Sequence, residues 1–186
     1  MKHLLIISAI TFFLISGCIP SSDNPLTEPI LGNPGNELIG SWFWKDTDET
    51  GFLHIGKDQK KEFLNITMVA FKKDGEVEAT EFIGHTSKLS SNNYLNLKWV
   101  KPENFIKGYL FIKYRVSGDK LEYSIIDSQA IIKGIKSGDL KGEVISKGKT
   151  DDIKIHEEQE KLREYVLKND ADLFKGEGVM LKRLQF

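Results

Sequence analysis

The feature that most constrains the fold of this chain is a succession of short β-forming segments, each ended by turn residues. Residues 63–71 are rich in β-branched and aromatic side chains and lead to Asp74-Gly75, a dipeptide typical of hairpin turns. The same pattern predicts strands at 38–44, 51–55, 77–86, 94–99, 108–116, 121–125 and 179–184. Strands spaced by about 10–15 residues and joined by turns favour an antiparallel barrel or sandwich over βαβ units.

Two segments have helical periodicity instead. Residues 157–168 place Leu162, Tyr165 and Val166 on one face, and the acidic residues of the first turn suit the helix dipole. Residues 128–136 predict a short additional helix that ends at Ser137-Gly138. The predicted fold class is therefore mainly β, with one C-terminal α-helix and a short additional helix.

The N-terminus combines a short basic start with an apolar run over residues 4–15. Twelve helical residues span about 18 Å, whereas a bilayer needs about 20 residues, so the run indicates a secretory signal rather than a permanent span. The last residue of the run and the three after it, Ile15, Ser16, Gly17 and Cys18, resemble the lipobox of bacterial lipoproteins.

This resemblance implies that residues 1–17 are removed and that Cys18, then the first residue, receives a diacylglyceryl group on sulfur and an acyl chain such as palmitate on its amine. Several chains matter because a single acyl chain holds a membrane only weakly. The resemblance also implies a lipid-anchored protein of the bacterial cell envelope. Because Ile19 rather than Asp follows Cys18, it favours the outer membrane, facing the periplasm, if the cell is Gram-negative.

Three regions follow from this pattern. Residues 1–17 are the predicted signal peptide, residues 18–37 a lipidated cysteine and flexible tether, and residues 38–186 the β domain. The tether is expected because Pro20, Pro25, Pro29 and Pro34 interrupt a polar segment, and proline removes a backbone donor. If extended, residues 19–36 reach roughly 60 Å, which would hold the domain clear of the lipid headgroups.

Composition excludes several kinds of partner and site. The formal net charge of −1 leaves no basic excess to neutralise phosphates, so no nucleic-acid partner is expected. Cys18 is the only cysteine, so once it is acylated the domain has no disulfide, no thiolate metal site and no cysteine nucleophile.

The start and end of the domain resemble those of lipocalins and related calycin barrels. Gly40 and Trp42 form the Gly-x-Trp element with which the first strand of that family begins, and Arg183 lies on the last predicted strand. In the family the tryptophan plugs the closed end of the barrel and an arginine lies across its ring. The resemblance therefore implies a lipocalin-like antiparallel β-barrel in which Gly40, Trp42 and Arg183 are structural.

Aromatic residues on the predicted strands give a candidate binding site. An eight-stranded barrel can enclose one small apolar ligand, and side chains from several strands would line it. The predicted lining residues are Trp44, Phe71, Phe82, Trp99, Tyr109, Phe111 and Tyr123. The alternative is that these side chains fill the core and that the protein acts through its surface, with a protein partner that the sequence does not identify.

The sequence offers little support for catalysis. His156-Glu157 begins like a zinc-protease motif, but Glu160 stands where the second histidine should be, and His54 and His85 lie on other predicted elements. The chain has no Gly-x-Ser-x-Gly elbow and no P-loop. We therefore expect no catalytic residues, no metal and no cofactor. An envelope enzyme would need titratable groups that converge in a cleft.

Overall fold

The computed structural model describes residues 19–30, 35–47, 49–58, 63–100, 108–147, 150–176 and 178–185. The predicted signal peptide, its lipobox residues Ile15, Ser16 and Gly17, and Cys18 lie outside these ranges.

Eight antiparallel strands form a closed barrel in which each strand pairs with the next along the chain and the last pairs with the first. The strands are β2 (Gly40–Lys45), β3 (Glu49–Asp58), β4 (Phe63–Lys72), β5 (Val77–Leu89), β6 (Asn92–Trp99), β7 (Leu110–Ser117), β8 (Lys120–Ile125) and β11 (Val179–Arg183). The predicted fold class is confirmed: the chain is mainly β, its barrel is antiparallel, and the described ranges contain two α-helices.

The interior of the barrel is filled by every second side chain of its strands. In β4, Leu64, Ile66, Met68 and Ala70 are all buried, whereas Asn65 between them is exposed. This alternation follows from the pleat of a strand, which points successive side chains to opposite faces. The inward residues of all eight strands form one apolar cluster, here called the interior core.

A second layer covers the outside of β5, β6 and β7. It is built mainly from the chain between β8 and β11, which forms α1 (Ser128–Ser137), β9 (Gly142–Lys147), β10 (Thr150–Ile155) and α2 (Gln159–Leu173). Outward residues of the barrel such as Tyr94 and Phe111 pack with Ile131, Ile153 and Leu162 of this layer in a second apolar cluster, here called the second core. The β9–β10 hairpin was not predicted, although Val144, Ile153 and Ile155 show the alternation of half-buried strands.

The two helices lie where the sequence predicts them. The Asp127 side chain accepts a hydrogen bond from the Ala130 amide and begins α1, and Gly138, with φ of 77°, ends it. Helix α2 continues beyond the predicted residue 168 to Leu173. The reason is tertiary: Asp170 accepts hydrogen bonds from barrel side chains, and Leu173 is fully buried in the second core.

The described part of the predicted tether is not free but packed on the barrel. Ser21 and Ser22 form the short strand β1 (Ser21–Ser22), which pairs in parallel with β10. Leu26 is fully buried in the second core, and its amide donates to Asn96 Oδ1 at 2.8 Å. The tether prediction is thus corrected for this segment: proline prevents helix here, but β10, Tyr109 and the side chains of Asn96 and His85 supply partners for several of its backbone groups.

Candidate functional site

One end of the barrel is closed by the residues that carry the lipocalin resemblance. The Trp42 ring is fully buried, and the Arg183 guanidinium carbon lies 4.1 Å from its centroid. Trp42 Nε1 donates to the Leu38 carbonyl at 2.7 Å, and Arg183 donates to the Ile39 and Glu37 carbonyls. This end, here called the floor, is therefore sealed by an arginine–tryptophan stack tied to the short 3-10 helix Asn36–Leu38.

Gly40 is required at the floor for two reasons. Its φ of +136° lies in a region that favours glycine, and a Cβ atom there would lie 2.8 Å from Arg183 Nη1. The three residues that the resemblance assigns to structural roles thus meet at one place. No side chain larger than hydrogen fits at residue 40 while Arg183 keeps its position.

The opposite end of the barrel is here called the mouth. It is the end at which β2, β4, β6 and β8 finish and the other strands begin, and it is marked by Lys45, Lys72, Val77, Trp99, Leu110, Ile125 and Val179.

An apolar cavity of about 110 Å³ lies inside the barrel. Aromatic and aliphatic side chains from every strand border it, among them Trp44, Met68, Phe82, Tyr123 and Leu181. The cavity is comparable to the roughly 150 Å³ dry cavity that admits one benzene molecule, and smaller than the roughly 300 Å³ of the smallest typical ligand pockets. It can therefore hold one small apolar group.

Of the seven predicted lining residues, Trp44, Phe82, Phe111 and Tyr123 border the cavity. Phe111 does so from the barrel wall, since it packs in the second core. Trp99 packs against the interior core, with its ring centroid 5.4 Å from that of Phe82.

Two predicted lining residues lie elsewhere. Phe71 is 42% exposed on the outer wall, with its ring centroid 6.1 Å from that of Phe52. Tyr109 packs beside the second core, under the ammonium of Lys98 at 4.0 Å. Both predictions are wrong because successive residues of a strand point to opposite faces of the barrel wall. The inward positions are Ala70 rather than Phe71, and Leu110 rather than Tyr109.

Ile19 is a lining residue that the sequence did not indicate. It is partly buried, packs against the interior core and borders the cavity. Ser22 fixes its place, because Ser22 and Tyr109 exchange two backbone hydrogen bonds of 2.9 and 2.7 Å just outside the mouth end of β7. No local signal could have shown this, since Ile19 stands in a proline-rich polar segment.

Three side chains at or near the cavity have raised pKa values. Burial raises the pKa of Tyr123, and burial together with the Glu37 carboxylate raises the pKa of Tyr114, whose hydroxyl donates to Glu37 Oε1 at 2.7 Å. Burial also raises the pKa of Glu49, which accepts a hydrogen bond from Trp44 Nε1 at 3.1 Å. Among the described residues, the titratable side chains that border the cavity are those of Tyr114 and Tyr123, and a tyrosine whose pKa is raised stays neutral, as an apolar ligand requires.

The three histidines in the described ranges lie apart from the cavity and from one another. His54 bonds to Ser41 on the outer wall, and His85 Nε2 donates to the Thr27 carbonyl at 2.7 Å beneath the N-terminal segment. His156 lies between Asp23, 2.6 Å from its Nδ1, and Glu143, 3.3 Å from its Nε2. Within the described ranges, no group of three or more histidine, cysteine or acidic residues has the arrangement of a metal site.

Comparisons of the chain with protein-family models, with curated proteins and with solved structures gave no match. None of the helices in the described ranges is long and apolar enough to span a bilayer.

Proposed function

We propose that this protein is a lipid-anchored lipoprotein of the bacterial envelope that binds a small apolar group in its barrel. The observation that carries the binding proposal is the cavity of about 110 Å³, bordered by apolar side chains and closed at the floor. An apolar cavity of this size stays dry, and a ligand that fills it restores van der Waals contacts that the lining atoms lack on one side. The anchor proposal is carried by the lipobox-like residues before and at Cys18.

The size of the cavity limits what it can bind. An aromatic ring or a short branched alkyl group fits, whereas a whole acyl chain needs more volume than the cavity provides. The proposed ligand is therefore a small apolar molecule, or an apolar end of a larger one that projects through the mouth.

A matched pair of variants tests the binding proposal. Toluene is added to the detergent-solubilised lipidated protein, and the change in thermal midpoint and in tryptophan fluorescence is measured. Ile66→Phe fills the cavity from a buried lining position and should abolish both changes, whereas Val69→Ile on the outer wall should leave them intact. Equal responses of both variants would refute binding inside the barrel.

Two further measurements address the natural state. Native mass spectrometry of the lipidated protein from its own host should show a small co-purifying molecule. The mass of the N-terminal peptide should show a diacylglyceryl group and an acyl chain on Cys18, and Cys18→Ser should lose both together with palmitate labelling. Continued palmitate labelling of Cys18→Ser would refute the anchor proposal.

One observation favours a second candidate function, in which the protein acts through its surface. The cavity is small for a ligand pocket, and Phe43, Phe52 and Phe71 form an aromatic row on the outer wall, with centroids 6.2 and 6.1 Å apart. Under this alternative toluene has no effect on the unmodified protein, and substitutions in the aromatic row impair function in the cell.

A further inference from the structure

The N-terminal segment brings the proposed lipid anchor to the mouth of the barrel. Ile19, the first described residue, borders the cavity, and Ser22 pairs with Tyr109 beside the mouth end of β7. Cys18 is joined to Ile19 by one peptide unit, so their Cα atoms lie about 3.8 Å apart. Acyl chains on Cys18 would therefore begin beside the mouth, not at the end of a long linker.

The chain after Ile19 is held against the barrel by a series of contacts. Pro20, Ser21 and Ser22 are buried, and the Asp23 carboxylate lies 3.1 Å from Lys154 Nζ and 2.6 Å from His156 Nδ1. Leu26 then enters the second core. These contacts fix the segment on the barrel, so the distance between lipid and domain is set by one or two residues.

The same end of the barrel carries most of its exposed large apolar side chains. Of nine such side chains in the described ranges, six lie at the mouth or in the half of a strand nearest to it. These six, here called the apolar rim, are Phe52, Phe71, Val77, Val100, Ile125 and Met180.

The floor end has a different surface. Its described turns carry polar residues, namely Ser90 and Ser91 between β5 and β6, and Asp119 between β7 and β8. Turns at both ends are polar, but the exposed large apolar side chains of the barrel lie toward the mouth, which is therefore the end suited to contact with a lipid surface.

We propose that the mouth of the barrel lies against the lipid bilayer, with the apolar rim among the headgroups and the cavity open toward the lipid. This inference rests on the proposed acylation of Cys18. The anchor fixes which end approaches the membrane, and burial of the rim adds apolar contact that the anchor alone does not supply. The mouth turns carry both signs of charge, as at Lys72, Lys73, Asp74 and Glu76, so binding needs no anionic lipid.

Single engineered cysteines can test this orientation, because an acylated Cys18 leaves no other thiol in the chain. Val77→Cys and Val100→Cys place a spin label on the rim, and Asp119→Cys places the same label at the floor end as the matched control. All three sites are exposed, so the fold should be kept. The lipidated variants are reconstituted into phosphatidylcholine vesicles, and the accessibility of each label to oxygen and to a water-soluble nickel complex is measured.

The expected result is a ratio of oxygen to nickel accessibility several-fold higher at both rim sites than at Asp119→Cys. Equal ratios at the two ends, with Cys18 acylated and the protein bound to vesicles, would overturn the orientation but not the anchor. An unmodified Cys18 in the mass spectrum would overturn both proposals. Rim labels that the nickel complex reaches in vesicles but not in native envelope fragments would indicate a protein partner and overturn the lipid contact.

Discussion

Removal of the Arg183 side chain should open the floor of the barrel and destabilise the fold. The guanidinium stacks on Trp42 and donates to the Glu37 and Ile39 carbonyls. The stack contributes about 0.5–2 kcal/mol, and each charged hydrogen bond about 1.5–3 kcal/mol. Because the guanidinium is partly exposed and water can replace some of these contacts, we expect Arg183→Ala to lower the free energy of unfolding by about 2–4 kcal/mol.

The assay is urea unfolding of the detergent-solubilised protein, followed by tryptophan fluorescence. The matched control is Arg115→Ala, since Arg115 is 76% exposed and pairs with Glu122 on the surface, so it should cost about 0–1 kcal/mol. The loss for Arg183→Lys should fall between these two values, because lysine keeps the charge but lacks the planar guanidinium with its several donors. A loss for Arg183→Ala equal to that for Arg115→Ala would refute the assignment of the floor.

Two further predictions concern the second layer and the N-terminal segment. Asp170→Ala removes the acceptor for Asn92, Tyr94 and Lys113, so it should destabilise the protein by about 2–3 kcal/mol; Asp172→Ala, at an exposed position of the same helix, should have little effect in the same unfolding assay. Burial lowers the pKa of His85, so the folded state favours the neutral ring and stability should fall as the pH drops below about 6.5. His85→Gln should weaken this dependence in unfolding curves between pH 5 and 7.5, and an unchanged dependence would refute the assignment.

The barrel was predictable because its signals are local. Turn residues such as Asp74-Gly75 and Gly118 adopt the conformations that their types favour, with φ of +90° at Gly75 and +60° at Gly118. The Asp74 carboxylate also accepts a hydrogen bond from the Glu76 amide at 3.0 Å, which reinforces the turn. The position of the floor was predictable too, because Gly40, Trp42 and Arg183 form a recognisable set.

The cavity lining was only partly predictable, because aromatic character is a poorer guide to the interior than strand parity. In β4 the polar residues Asn65 and Thr67 define the outer face, and Phe71 shares their parity. Parity alone would have placed Ala70 inside and Phe71 outside. Large aromatic side chains such as Phe52 and Phe71 lie instead on the outer wall, where their rings contact each other.

The packing of the N-terminal segment could not be read from the sequence, because its contacts are distant along the chain. Leu26 bonds to a residue 70 positions away, and Asn24 to one 133 positions away. Four prolines indicate that the segment forms no helix of its own, but composition does not distinguish a free linker from one whose partners come from another part of the fold.

A cavity that opens toward lipid must select its ligand differently from one that opens to water. Hydrophobic transfer favours binding from water, but an apolar molecule dissolved in acyl chains gains little by moving into an equally apolar cavity. The remaining source of affinity is close packing against fixed side chains such as Trp44, Phe82 and Tyr123. The proposed orientation predicts directly which medium touches the mouth, where Trp99 ends β6. Phosphatidylcholine brominated on its acyl chains should therefore quench the tryptophan fluorescence of the vesicle-bound protein more than iodide in the surrounding water does. Stronger quenching by iodide than by brominated lipid would mean that the mouth opens to water, and the mouth would then have to face away from the membrane.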